Sequence, residues 1–254
     1  MMEAKQLIKA FPKEERQVGT GNFLRVSEFF FDTIQGEGFY LGHPAAFLRL
    51  QQCTLNCVWC DTTEVWRKGN PYTFAELYDL IATSGLKDKL KRGEHLILTG
   101  GSPLLQQSKL IKFIHEFINR AGFKPFIEIE NECVLLPDDE LIPLIDCWNN
   151  SPKLDNSGNS KHERYDTFVI KATSALKNSW FKFVISDPSD WEEIEEEFLI
   201  PELIRRDQVI LMPERGNRAT LQSNMEKVVE LAIRENVIYR SREHIVLWDR
   251  NTGV

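Results

Sequence analysis

Nowhere does the chain carry an apolar run of about 18 residues, so no transmembrane helix is expected. Its first apolar residues are interspersed with Lys5, Lys9, Lys13, Glu14, Glu15 and Arg16, which leaves no secretory h-region. The expected location is the cytoplasm, where thiols stay reduced. Positive charge is not in excess either: the formal net charge is −7. A whole-surface nucleic-acid binder is thereby disfavoured, and no direct nucleic-acid contact is expected. No internal repeat is visible, which excludes solenoid and propeller arrays. Cysteine is scarce, and its count of five is odd, which does not suit a disulfide framework.

What is present is concentrated. Three of the five cysteines fall in Cys53-Thr54-Leu55-Asn56-Cys57-Val58-Trp59-Cys60. A structural zinc site wants four ligands, and the remaining Cys133 and Cys147 stand singly and far downstream, as small apolar core residues do. An electron-transfer cluster normally takes four cysteines. Three closely spaced thiolates hold three irons of a 4Fe–4S cubane and leave the fourth iron open for chemistry.

A chain of 254 residues with 42% hydrophobic content buries one sizeable core. Strand-like runs are expected at 45–50, 95–98, 126–129, 168–170, 181–185 and 209–212. Helical patterns lie at 74–83, 104–121, 141–146, 191–198 and 221–236. Thr73 ahead of Glu76, and Ser189 ahead of Glu192, fit the capping-box pattern. Alternating strands and helices predict an α/β fold of parallel units, as a partial or distorted (β/α) barrel in a single domain. The core domain is expected over 23–254, with an N-terminal extension at 1–22 outside it. The polar insertion near 154–166 reads as a surface loop.

Around the triad lie further candidate residues. In Gln35-Gly36-Glu37-Gly38 the glycines permit close backbone approach to a planar ligand. Gln35 offers a donor and an acceptor, and Glu37 accepts; a β-turn with exposed polar residues is the alternative. Arg49 sits in an apolar strand, where its fork suits a substrate carboxylate or a buried ion pair. Asp61 orients a ligand or closes a turn. Thr99-Gly100-Gly101 follows a strand, at the end where α/β folds bind ligands.

With Phe31-Asp32-Thr33-Ile34 upstream, the Cys60-Asp61-Thr62 ending and Ser151-Pro152-Lys153 downstream, these motifs resemble the 7-carboxy-7-deazaguanine synthases. That family is a branch of the radical S-adenosylmethionine enzymes, and the resemblance spans roughly residues 29–153. It implies a lyase that contracts the ring of 6-carboxy-5,6,7,8-tetrahydropterin to 7-carboxy-7-deazaguanine with loss of ammonia, in queuosine or related deazapurine biosynthesis. By the same resemblance Cys53, Cys57 and Cys60 hold the 4Fe–4S cluster, and the Thr62 hydroxyl a magnesium ion. Ile34, Gln35, Gly36, Glu37, Arg49, Asp61, Thr99 and His244 contact substrate. Trp59, Gly100, Gly101, Ser102, Ser151, Pro152 and Lys153 line the adenosylmethionine site, Trp59 against the adenine or as a shield for the cluster. A flavodoxin- or ferredoxin-type reductant and a homodimer are also implied.

The chain departs from its relatives at Ser102, where they usually carry glutamate after the two glycines. A carboxylate there would hold the cofactor's amino group by a charge-assisted bond, and serine accepts only a neutral one. The departure bears on cofactor affinity rather than reaction type. Two other readings stand beside this one. A radical activase of another protein would consume the cofactor, but Arg49 and the Gln-Gly-Glu-Gly motif suit a small planar acid instead. A non-catalytic iron–sulfur module draws support from Ser102 and the N-terminal extension.

Overall fold

Runs rich in β-branched and aromatic residues form ten strands among the described residues. In the computed structural model, which describes residues 4–19, 21–214, 217–249, 251 and 253, these are β1 (Lys5–Ile8), β2 (Phe23–Ile34), β3 (Pro44–Leu50), β4 (Asn70–Thr73), β5 (His95–Gly100), β6 (Ile127–Asn131), β7 (Cys147–Asn150), β8 (Ser179–Ile185), β9 (Val209–Pro213) and β10 (Ile238–Tyr239). They form one sheet in the order β1-β2-β3-β5-β6-β7-β8-β9-β10, with β4 also paired to β2. From β3 to β10 every pairing is parallel, while β1, β2 and β4 are joined antiparallel. The architecture is α/β, as expected. No helix among the described residues is long and apolar enough to cross a membrane.

Helices cover the outer face. Helix Phe74–Ser84 starts where expected: the Thr73 hydroxyl accepts from the Glu76 amide at 3.2 Å, and the Glu76 carboxylate accepts from the Thr73 amide at 2.8 Å. Helix Gln107–Ala121 buries Leu110, Ile111, Phe113, Ile114 and Phe117 against the same core, each worth about 1.5–3 kcal/mol when fully removed from water. A second cluster joins β8 and β9 to Trp191, Ile194, Phe198, Val228 and Leu231. Cys133 and Cys147 are fully buried, and burial pushes both thiols up.

The sheet is curled. β2 and β8 are five steps apart in its order, roughly 24 Å on a flat sheet. Yet Lys182 in β8 reaches Glu37, three residues beyond β2, at 2.8 Å. The chain after β10 also returns, its Glu243 amide donating to the Gly36 carbonyl at 2.9 Å. A partial barrel accounts for both contacts, with its concave side polar.

Several local expectations differ from the structure. Residues 168–170 are not a strand but part of helix Thr167–Ser174, because the Asp166 carboxylate accepts from the amides of Phe168 and Val169 and caps a helix. Ser189 makes no cap; its hydroxyl donates to Asp187, and Asp190 binds the Ser186 and Asp187 amides instead. The stretch 141–146 holds only a short 3₁₀ turn, Ile142–Leu144. Part of the N-terminal stretch joins the sheet as β1, with Ile8 in the core. Residues 154–166 are not a free surface loop: Leu154, Ser157, Asn159 and Arg164 are buried.

Candidate functional site

The cysteine segment leaves β3 through Gln52, which is left-handed at φ 78°. It then packs on the end of β5, where the Ser102 amide donates to the Gln52 carbonyl at 2.8 Å. Only glycine fits at 101: a Cβ there would collide with Cys53 and with the Gln52 carbonyl. The 154–166 segment lies against the other side of the cysteines. Its Ser157 carbonyl accepts from the Val58 amide at 3.0 Å, Asn159 accepts from the Asn56 amide at 2.9 Å, and Asn156 accepts from the Trp59 indole at 3.1 Å.

Cys53, Cys57 and Cys60 are half-buried, unbridged, and line one small cavity of about 130 Å³. Their sulfurs are supplied with donors. The Leu55 amide lies 3.4 Å from the Cys53 sulfur, the Ser102 hydroxyl 3.6 Å from it, and the Asn159 amide group 3.2 Å from the Cys57 sulfur. Burial raises the Cys53 and Cys57 thiols, outweighing these bonds; iron coordination holds such groups as thiolates regardless. Three adjacent cysteines with N–H and O–H donors aimed at sulfur fit a three-cysteine cluster.

A larger cavity of about 580 Å³ adjoins it, within the range that small-molecule sites occupy. Where the two meet runs a chain of ion pairs, its carboxylates of Glu37, Asp61 and Glu130 bordering both cavities and its cations of Lys182 and Arg242 the smaller. The Thr99 hydroxyl donates to Glu130 at 2.7 Å; Lys182 bridges Glu130 at 3.1 Å and Glu37 at 2.8 Å; Arg242 joins Glu37 at 3.2 Å to Asp61. Burial alone would raise the Glu37 carboxyl, but Lys182, Arg242 and His244 outweigh it and hold it well below the usual carboxylate range. Asp61 is likewise held down by Arg242, His244 and Arg49 against burial. Lys182 is pushed up by Glu130 and Glu37 in spite of burial. Glu37, Asp61 and His244 bring ligand-type atoms within 4.8 Å of one another, but Lys182 and Arg242 already neutralise the carboxylates. That trio reads as part of the ion network.

The expected site residues are largely brought together. Ile34, Gln35, Gly36, Glu37, Arg49, Trp59, Cys60, Asp61, Thr62, Thr99, Gly100 and His244 line the larger cavity. Cys53, Cys57, Gly101, Ser151 and Lys153 line the smaller one. Gly36 packs directly under His244, whose ring a Cβ would strike. Arg49 satisfies both of its readings in part: its Nε donates to buried Glu28 at 2.7 Å, and it still faces the cavity. The Gln35 side chain is engaged by the protein at both ends, with Glu128 at 3.3 Å and the Glu37 amide at 3.3 Å. Thr62 places its hydroxyl 3.8 Å from the Cys60 sulfur. The Lys153 ammonium is bonded to the Ser151 hydroxyl at 2.8 Å. Ser102 and Pro152 are buried and border neither cavity.

Sequence reasoning missed Glu28, Glu130, Glu132, Asn159, Lys182 and Arg242 as site residues. A visible signal existed for Lys182, a lone cation inside the apolar run Trp180–Ile185, since buried lysines are seldom unpaired. Burial raises the Glu132 carboxyl, although the Ser102 and Thr54 hydroxyls lower it.

A cysteine triad at the strand ends of a parallel sheet, opening on a polar cavity, defines an iron–sulfur enzyme of the radical S-adenosylmethionine class. Comparison with known proteins narrows this. The family described as a 4Fe-4S single cluster domain matches residues 34–129. The 7-carboxy-7-deazaguanine synthase of Pyrobaculum aerophilum is 30% identical over 230 residues, covering 91% of this chain and 97% of that protein. The enzyme of the same name from Halobacterium salinarum is 28% identical over 247 residues, covering 91% and 93%. The crystal structure of QueE from Escherichia coli superposes with a TM-score of 0.65 at 21% identity, over 87% of this chain and 95% of that one, and shares the fold. The chain belongs to the 7-carboxy-7-deazaguanine synthase family.

Proposed function

We propose that this enzyme converts 6-carboxy-5,6,7,8-tetrahydropterin to 7-carboxy-7-deazaguanine and ammonia, in queuosine or related deazapurine biosynthesis. The conversion is redox-neutral: the product is the substrate less one ammonia, so adenosylmethionine acts as a cofactor that is regenerated. The observation that carries this reading is the junction of the two cavities. The cysteine triad walls the smaller, Arg49 walls the larger, and Glu37, Trp59, Cys60, Asp61, Thr99, Gly100 and Glu130 border both. A cofactor on the cluster side therefore adjoins an acid-binding site on the other.

Cys53, Cys57 and Cys60 would hold the cluster, which with adenosylmethionine would supply hydrogen-atom abstraction, with an electron from a flavodoxin- or ferredoxin-type protein. The chain's own residues bind and orient. Arg49, fixed by Glu28 through Nε, presents the rest of its guanidinium to the substrate carboxylate. Glu37, kept ionised by Lys182 and Arg242, accepts from the N–H groups of the pterin edge. The hydroxyl of Thr62 is a hard oxygen of the kind magnesium takes, and it would hold such an ion together with substrate oxygens and water. Because the ion pairs are made within the protein, the wall needs little rearrangement when substrate enters.

The test is an anaerobic turnover of cluster-loaded protein with reductant, magnesium, adenosylmethionine and the carboxypterin, followed by mass spectrometry. The carboxydeazaguanine mass is expected without matching loss of adenosylmethionine. Accumulation of 5′-deoxyadenosine with no deazapurine would refute the substrate, and stoichiometric loss of adenosylmethionine the cofactor's regeneration.

A further inference from the structure

Beneath the ion network, toward the starts of β5 and β6, lies a second buried polar cluster. Strand residues two apart point to the same side of a sheet, so Glu128 stands one layer below Glu130 on β6. Glu128 is fully buried and borders neither cavity. Its Oε1 lies 2.6 Å from His95 Nδ1, and its Oε2 accepts from the Asn149 side-chain amide at 2.7 Å and from the Gln35 side-chain amide at 3.3 Å. Both of these amides go on to the Gln-Gly-Glu-Gly loop. The Gln35 side-chain oxygen accepts from the Glu37 backbone amide at 3.3 Å, and the Asn149 oxygen accepts from the Phe39 backbone amide at 3.1 Å. Glu37 is thereby tied on both of its flanks. Between them Gly38 lies so close to Asn149 that a Cβ would strike its side-chain oxygen. The loop is closed at its base by the Gln35 backbone amide, which donates to the His43 carbonyl at 2.7 Å, and the His43 ring stacks on His95 at 3.7 Å.

A side-chain amide can present its oxygen or its NH2 group, and only the oxygen serves a backbone N–H. A carboxylate only accepts. Glu128 therefore turns the NH2 groups of Gln35 and Asn149 toward itself and leaves both oxygens for the loop. Burying a carboxylate is costly, and an apolar residue at 128 would avoid that cost. What the carboxylate supplies in return is a single arrangement of the loop, through a network whose amides have no second orientation. We propose that Glu128 is a positioning residue for substrate binding: through Gln35 and Asn149 it fixes the loop that carries Glu37 into the larger cavity. The inference rests on the function proposed above. Glu128 itself touches neither substrate nor cofactor. The Gln35 side chain, 1% exposed, holds the loop, and the loop presents the Glu37 carboxylate.

The test sets steady-state kinetics of cluster-loaded variants beside their adenosylmethionine affinity, read by equilibrium dialysis. E128L removes the acceptor at similar volume. It should raise KM for the carboxypterin about tenfold or more, the equivalent of one charged hydrogen bond, with kcat within about threefold. Affinity for adenosylmethionine should stay within about twofold, since Glu128 stands apart from the cysteine cavity. E128Q keeps an oxygen for the two amides, because its own NH2 group can face His95 Nδ1 in the other ring tautomer; its KM should stay within about threefold of wild type. Q35M cuts the link from the loop side and should raise KM as E128L does, and the double variant E128L/Q35M should be no worse than either single one. E128D, whose shorter side chain falls short of Gln35, serves as the same probe if E128L loads iron poorly. An unchanged KM in the probe variant, or effects that multiply in its combination with Q35M, overturns the inference alone. So does an equal loss of substrate and adenosylmethionine binding, the mark of a purely structural residue. Failure of the wild-type protein to form the deazapurine overturns the proposed function, and this inference with it.

Discussion

Replacing Lys182 with methionine removes the cation that joins Glu37 to Glu130 while keeping much of the side-chain volume. In the native protein its ammonium lies 2.8 and 3.1 Å from the two carboxylates, with the side chain 5% exposed. The variant leaves the half-buried Glu37 carboxylate to Arg242 and His244 and the half-buried Glu130 carboxylate to the Thr99 hydroxyl. Breaking a buried pair in this way costs about 3–5 kcal/mol. The pH dependence follows from the direction of the Glu37 shift. Its folded-state carboxyl is held below the unfolded value, so it contributes stability above the ordinary carboxylate range and loses it as pH falls toward the folded value. Without Lys182 that depression shrinks. The stability gap between wild type and variant is therefore full near neutral pH and narrows on acidification through the carboxylate range. Denaturant unfolding of the cluster-loaded protein, followed by circular dichroism at several pH values, measures it. A gap below about 1 kcal/mol at neutral pH, the size of an exposed pair, or one that does not change with pH, would refute the reasoning.

Further outcomes follow from individual contacts. N159A removes the donor 3.2 Å from the Cys57 sulfur; if a third to a half of a charged hydrogen bond is gained on cluster reduction, the midpoint potential drops by roughly 20–60 mV. Spectroscopic redox titration checks this, and an unchanged or higher potential contradicts it. R49K keeps the charge but cannot hold Glu28 and present a fork to a substrate carboxylate together, so KM should rise about tenfold or more with kcat less affected. An unchanged KM would leave Arg49 as a structural partner of Glu28 only. T73A removes the cap of helix Phe74–Ser84 and should lower unfolding stability by about 1 kcal/mol, with turnover unaltered. Loss of activity in that variant would show that the helix bears on the site.

How far the sequence discloses this protein depends on whether the signal is local. The cysteine triad, the Gly-Gly pair that closes β5 and the Thr73 cap are written within a few residues; the cap forms as expected, and the triad and the glycines meet at one small cavity. The longest strand, β2, is hidden because Ser27 and Glu28 interrupt its apolar run. Glu28 belongs there: it sits in register with Arg49 on β3 and neutralises it. β7 is hidden for the same reason, since Asn149 and Asn150 point polar groups into buried networks with Glu128 and Ser179. A curled sheet with a polar interior breaks the alternation by which strands are recognised. The ion network is the least legible part. Its Lys182–Glu37 contact spans 145 residues, and Arg242 arrives from beyond β10. Only the curl of the sheet brings them together. The insertion at 154–166 misleads in the opposite way: its polar residues suggest solvent exposure, but Asn156 and Asn159 spend their side chains on the cysteine segment.

The charge balance of the interior bears on what enters it. In the paired network four carboxylates, of Glu28, Glu37, Asp61 and Glu130, face three permanent cations, of Arg49, Lys182 and Arg242, with the His244 imidazole beside Glu37 and Asp61. A substrate carboxylate docking against Arg49 adds a further negative charge, and Arg49 is already shared with Glu28. Close charges in a water-poor cavity repel more strongly than they would in solution. An apolar filling would avoid that repulsion but would leave no polar cavity. A divalent cation brought in with the substrate offsets the excess, and the Thr62 hydroxyl stands on the same wall, beside Asp61. If the proposed magnesium ion binds with the substrate, each is expected to be held more tightly when the other is present, which measuring substrate affinity with and without magnesium would check.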